Sequence, residues 1–274
     1  MVEATGTLRL QVERSDSGRS VVTGQFHSGA LRVLRPHHPD GSGQAVFTVV
    51  NPGGGYLGDD LYEVGYDGGP DSSALLTTQS ATKVYRTPQG PARQIQRFAL
   101  GPGARLECVP DQLIAYEDAR FHQSTDVSLA AGASLVTAEV VTPGWSETGQ
   151  PFRYQEVRLF TRVWLESRLL LWDNLVLKPG SSDPTGMGWF DGHSHLMSLT
   201  AVHPGLDGDT IDIVRDTISD FPDVHAGCSQ LQGPGLVVRA LGSSSGELAG
   251  LASVIGARLR TEQTGQGPWD LRKY

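Results

Sequence analysis

The sequence predicts a mainly β protein, a single domain of stacked β layers in a solenoid-like arrangement with a small C-terminal helical part. Three observations lead there. Apolar and polar residues alternate with period two in one run after another, the chain turns often, and only near the C-terminus does the spacing become that of an amphipathic helix. The 34 glycines and 16 prolines make up about 18% of the 274 residues, against roughly 12% in average usage. Strands between such frequent turns must be short. A chain of this length is compatible with one all-β unit, so the domain is expected to span 1–274, with a β core over about 5–241, a helix over about 245–260 and a tail over 261–274.

The first strand places Leu8, Leu10 and Val12 on one face and Arg9, Gln11 and Glu13 on the other, and Asp16-Ser17-Gly18 ends it as a turn. Val46 to Val50 reads as a more fully buried strand. After a glycine-rich turn, Asp59 to Tyr66 alternates Leu61, Glu63 and Gly65 against Tyr62, Val64 and Tyr66. Further on, Phe121, Gln123, Thr125, Val127 and Leu129 alternate with His122, Ser124, Asp126 and Ser128. Leu169 to Leu177 reads as another buried strand, closed by the turn Lys178-Pro179-Gly180. A faint repeat relates Leu100-Gly-Pro-Gly-Ala-Arg-Leu-Glu to Leu129-Ala-Ala-Gly-Ala-Ser-Leu-Val, with Ala104 and Ala133 in equivalent places 29 positions apart. Its physical reading is a turn that returns one strand to the layer beside its neighbour. The one helix expected has Leu248, Leu251, Ala252, Val254, Ile255 and Leu259 at spacings of three and four, and Ser244-x-x-Glu247 forms a reciprocal cap at its start. Its apolar face must lie against the β core or against a partner.

A formal charge of -8 argues against a phosphate-backbone partner, which calls for a basic stripe. Cys108 and Cys228 lack the spacing of a zinc site and suit a reducing compartment. No stretch is apolar for about 18 residues and the N-terminus has no basic-then-apolar leader, so the protein is expected to be soluble and cytoplasmic, with no membrane partner.

Several short motifs fail on context. Gly53, Gly55 and Gly58 satisfy GxGxxG, but a strand pattern follows where a dinucleotide site needs a helix. Gly242 to Gly246 matches GxSxG, yet no histidine follows it and Ser244 already serves as a helix cap. His37-His38, His193-Ser-His195 and His225-x-x-Cys228 are each fragments of a metal site, and in a strand His193 and His195 share a face, which leaves them as weak metal candidates. A carbohydrate-active enzyme or binding module on a β-solenoid is the alternative reading; adjacent Asp59 and Asp60 make a poor acid/base pair, and the five tryptophans are scattered.

Two segments are more specific. Asn51-Pro-Gly-Gly-Gly-Tyr-Leu-Gly-Asp-Asp60, followed by Leu76-Thr-Thr-Gln-Ser-Ala-Thr-Lys-Val-Tyr85, resembles the UreD (UreH) family of urease accessory proteins. The resemblance continues through Pro110 to Phe121, Ala138-Glu-Val140 and Leu236 to Gly242, and covers roughly Gly24 to Trp269. The chain departs from the family pattern at Gly58-Asp59-Asp60 for Gly-Gly-Asp, at Gly144-Trp145 for Gly-Arg, and at Gly267-Pro-Trp269. The resemblance implies a non-catalytic scaffold that works with UreF and the GTPase UreG on apo-urease, and no tightly bound cofactor. It further implies an oxygen-lined route for Ni²⁺ in transit to the di-nickel site, a loose path that carboxylate and carbonyl ligands suit. On that reading Asp60, Asp59 and Glu139 are nickel-transit or motif candidates, Asp60 having turn capping as its alternative role. Lys83, Tyr85, Arg239, Leu248, Leu251 and Ile255 are partner-interface candidates.

Overall fold

The structure, a computed structural model, describes residues 4–181, 183–269 and 271. The chain opens with β1 (Gly6–Arg14), β2 (Ser20–Gly29), β3 (Arg32–Val33), β4 (Ala45–Val50), β5 (Leu61–Gly68), β6 (Ser73–Thr78) and β7 (Thr82–Val84). It continues through β8 (Ala92–Leu100), β9 (Arg105–Cys108), β10 (Leu113–Ala115), β11 (Arg120–Leu129), β12 (Ser134–Val141), β13 (Glu156–Leu165) and β14 (Arg168–Leu177). β15 (His195–Val202), α1 (Gly208–Ser219), β16 (His225–Gln230), β17 (Gly235–Gly242) and α2 (Ser245–Thr264) complete it.

β1, β5, β8, β11 and β13 run parallel in one sheet, bordered by antiparallel β2 and β14. β4, β6, β9 and β12 run parallel in a facing sheet, which antiparallel β15, β17 and β16 extend. The chain therefore winds from one sheet to the other and back, with the short β7 and β10 pairing with each other and β10 also touching the end of β12. Such stacked coils are the solenoid arrangement that the repeat implied. Paired positions are offset by 29 residues at Ala45 and Ala74 and at Arg105 and Ser134, and by 32 at Ser73 and Arg105. Ala104 and Ala133 sit one above the other, both buried, each just after a left-handed glycine, Gly103 and Gly132. At a positive φ a β-carbon is disfavoured, which is why the turn sequence recurs with glycine at that place.

Between the sheets lies the larger core, built from Leu8, Leu10, Phe47, Tyr62, Tyr66, Phe98, Leu106, Phe121, Leu129 and Leu135. Burying one such side chain is worth about 1.5–3 kcal/mol, so the inward face of each strand fixes its register. A second core covers the outer face of the second sheet, where Val136, Met197, Leu199, Leu236 and Val238 meet Leu248, Leu251, Ile255 and Leu259 of α2 and Ile211 and Val214 of α1. Ser244 and Glu247 make both halves of the expected capping box.

Three details differ from the sequence reading. α1 was not expected, although Asp207 caps its N-terminus and Ile211, Val214 and Ile218 keep a helical spacing; its short, threonine- and aspartate-rich composition hides the pattern. α2 runs to Thr264 and ends at a left-handed Gly265, one turn later than expected. Leu169 to Leu177 is an edge strand rather than a fully buried one: β14 pairs with β13 alone, and its Trp172 is 61% exposed. Nothing in an isolated apolar run says how many neighbours its strand will have.

Candidate functional site

The inward positions of a strand that faces a core are normally apolar, and β8 and β11 break that rule at matching heights. Gln94 and Gln96 follow Ala92 and precede Phe98; Gln123 and Thr125 lie between Phe121 and Val127. Gln94 pairs with Gln123 and Gln96 with Thr125 across the two strands, so four polar groups cluster inside the core. From the opposite sheet, Cys108 of β9 and Glu139 of β12 face the same space. Gln94, Gln96, Gln123, Cys108 and Glu139 line a cavity of about 70 Å³ together with Tyr56, Thr78, Thr82, Asp111, Leu113 and Leu159, while Thr125 bonds to Gln96 without lining it. That volume has room for several waters.

Hydrogen bonds organise the lining. Tyr56 Oη donates to Gln94 Oε1 at 2.6 Å, Thr125 Oγ1 donates to Gln96 Oε1 at 2.8 Å, and Gln123 Nε2 donates to Glu139 Oε1. Burial pushes the Glu139 carboxyl above its ordinary range; the Gln123 bond pulls it down, Asp173 pushes it up and Arg239 pulls it down again. Burial, with a smaller contribution from Glu139, lifts the Cys108 thiol to about 12. Burial thus shifts both groups toward their neutral forms. Among largely apolar walls the cavity presents amide, hydroxyl and carboxyl oxygens and one thiol, chemically a set of weak rather than tight cation ligands.

The mouth of this cavity is made by the two segments that carry the family resemblance. A second void of about 50 Å³ is lined by Asn51, Gly54 and Gly55 from the first segment and by Ser80, Ala81 and Lys83 from the second. Leu31, Val49, Tyr56, Thr78 and Thr82 border both voids. The two segments are laced together: Tyr56 N donates to Lys83 O at 2.8 Å and Tyr85 N to Tyr56 O at 2.9 Å. Gly55 is required by this approach, because a β-carbon there would stand 2.4 Å from the Tyr85 ring and 2.9 Å from Lys83 O.

Asp60 lies at the turn behind that mouth. Its carboxylate accepts from Leu57 N at 2.7 Å and from Thr5 Oγ1 at 3.0 Å, the arrangement of a turn cap. Asp59 is exposed and adopts φ 62°, a left-handed conformation that aspartate tolerates better than most residues. Lys83 lines the outer void, while Tyr85 stacks edge-on against Tyr116, which in turn meets Trp145, both at 4.9 Å between ring centroids. Trp145, at the departure from the family's Gly-Arg, is 50% exposed and ends a short aromatic ladder that the scattered tryptophans did not suggest. Arg239 is on β17, in register with Ser198 and through it with Glu139, and forms an ion pair with Asp173 of β14. It thus ties the two sheets at the side of the cavity beyond Glu139.

Leu248, Leu251 and Ile255 are buried in the second core, so the apolar face of α2 is covered by the chain's own sheet. His193 and His195 do not meet each other's rings: His193 neighbours His225, with ring centroids 6.3 Å apart, and His195 Nδ1 is 2.8 Å from Ser194 Oγ. Among the described residues, no group of three or more His, Cys, Asp and Glu side chains is placed to hold a metal ion. No helix there is long and apolar enough to cross a membrane.

The residues missed at the sequence level are Gln94, Gln96, Gln123, Thr125, Cys108 and Asp111. A signal existed for Gln123 and Thr125, polar residues in the buried phase of a strand whose other inward positions are Phe121, Val127 and Leu129. Comparison with known proteins agrees with the two segments. The family model described as UreD urease accessory protein matches residues 4–273. The urease accessory protein UreD of Paenarthrobacter aurescens (strain TC1) is 46% identical over 264 residues, covering 94% of this chain and 91% of its own length. The UreD proteins of Actinomyces naeslundii and Corynebacterium glutamicum (strain ATCC 13032) are 42% and 41% identical, each over 99% or more of both chains. With both defining segments meeting at one cavity mouth and with likeness along its whole length, this chain belongs to the UreD family of urease accessory proteins.

Proposed function

We propose that this member of the family matures urease as a non-catalytic scaffold, bridging the UreF and UreG accessory proteins to apo-urease and passing Ni²⁺ through the polar space between its two sheets. The observation that carries the reading is the position of the family segments. Both wall the mouth of a void that reaches Glu139 and whose largely apolar lining carries amide, hydroxyl and carboxyl oxygens. A carboxyl group whose protonated form is favoured by burial exchanges a proton for an arriving cation more readily than a fully ionised one and takes it back when the cation leaves, which favours passage over storage. Amide oxygens from Gln94, Gln96 and Gln123 are weak ligands of the same kind.

The test is co-expression of urease with its accessory proteins and either this chain, its Glu139→Ala or Glu139→Gln variant, or none. Urease activity and bound nickel should fall together when the chain is omitted and in the Glu139→Ala variant. UreF and UreG should still co-purify with that variant. Full nickel content with Glu139→Ala overturns the interior route, and full activation without co-purification of the partners overturns the bridging role.

A further inference from the structure

Pro110, Asp111 and Val140 border the interior cavity on one side and, on the other, a further void of about 110 Å³ beneath α2. That outer void is walled in part by Trp269 and Leu271, from the stretch after α2. We propose that segment 265–269 is a strap that closes the interior cavity at its α2 end, with Trp269 as the removable plug. The inference rests on the reading of the cavity as a cation path and adds how its second end is controlled.

The strap is firmly tied at its base. Gly265, with φ 68°, reverses the chain and its N–H caps Thr261 O at 3.0 Å. Gln266 Oε1 accepts from Arg105, and Gly267 O accepts from Arg260 Nε at 2.6 Å. The tip is held differently. The Trp269 ring occupies the space left by a missing side chain on α2, since a β-carbon on Gly256 would come within 2.4 Å of it. Its indole Nε1 is enclosed without an acceptor, a state that release to water relieves. A bonded base and an unsatisfied tip let the plug leave while the base, and α2 with it, stay in place.

Cys108 reports on the strap, because its thiol lines the interior cavity while Cys228 lies elsewhere, on β16. The experiment compares the full chain with a truncation after Gly267 and with Gly256→Ala, whose new methyl group evicts the indole without removing any residue. Each is treated with methyl methanethiosulfonate, and modification of the two cysteines is followed by peptide mass mapping. Both variants should react at Cys108 about tenfold faster than the full chain, with Cys228 unchanged. An unchanged Cys108 rate, or equal acceleration at both cysteines as in general loosening, overturns the strap. Neither result bears on the cation path, which stands or falls on nickel loading by the Glu139 variants.

Discussion

Replacing Arg260 by methionine tests what fastens α2 to the β core. Glu107 is fully buried, and its carboxylate is shared by Arg260, by Arg105 Nη2 at 2.7 Å and by Gln44 Nε2 at 2.9 Å. Arg260 Nη1 also donates to Gln44 Oε1 at 3.2 Å, and its Nε to Gly267 O at 2.6 Å. Removing one partner of a buried pair costs about 3–5 kcal/mol, because the other charge is left without compensation. Here Arg105 stays on Glu107, which places Arg260→Met at the lower end, about 3 kcal/mol. For a chain of this size that lowers the melting temperature by about 6–10 °C. Glu107→Gln alone leaves two guanidinium groups facing a neutral amide and should be similarly costly. The double variant should recover about 1–2 kcal/mol of the summed losses, since neither the Glu107 carboxylate nor the Arg260 guanidinium is then left without its partner. Urea unfolding followed by tryptophan fluorescence, with far-UV circular dichroism, gives all four corners of the cycle. A loss below about 1 kcal/mol for Arg260→Met, or strict additivity in the double variant, would refute the account of α2 as held by this buried network.

Glu139→Gln should remove a pH dependence. Its carboxyl is raised in the folded chain, so the native state binds the proton more tightly than the unfolded state; stability is fully present below the ordinary glutamate range and is lost as pH rises through the folded value. The variant should therefore match the parent near pH 4 and exceed it in melting temperature near pH 8, and a parent that gains on Glu139→Gln as pH rises sinks the assignment. Asp60→Ala removes two hydrogen bonds at the turn behind the cavity mouth and should cost about 1–2 kcal/mol. A melting temperature unchanged in that variant would mean that Asp60 caps nothing, and its urease activation, measured alongside, separates a local structural role from a part in the nickel path. Gly55→Ala drives a methyl group into the Tyr85 ring and should cost about 1–3 kcal/mol, seen as a lower urea midpoint; wild-type stability would show that the two family segments are not packed as described.

Much of the fold is legible locally. The alternation in Leu8 to Val12, Tyr62 to Tyr66 and Phe121 to Leu129 identifies strands and their inward faces, and each is buried as its phase requires. Ser244 and Glu247 mark where α2 begins. The 29-residue echo between Ala104 and Ala133 marks adjacent coils. The motif segments Asn51 to Asp60 and Leu76 to Tyr85 identify the family without any three-dimensional information, because two long patterns in order are specific by themselves.

What the sequence by itself determined, then, is the set of strands, their faces, the capped helix and the family. Tertiary structure decided which strands lie side by side, and with that the site. Period two tells each residue which face it takes, a matter of its own backbone; it cannot tell which distant strand supplies the neighbour, which depends on how successive coils close and on their register. So β14 became an edge strand, and Arg239 came to pair with Asp173 across the two sheets. Gln123 found Glu139 on the opposing sheet, and the two family segments met at the mouth of one cavity, because coil stacking places them at the same height.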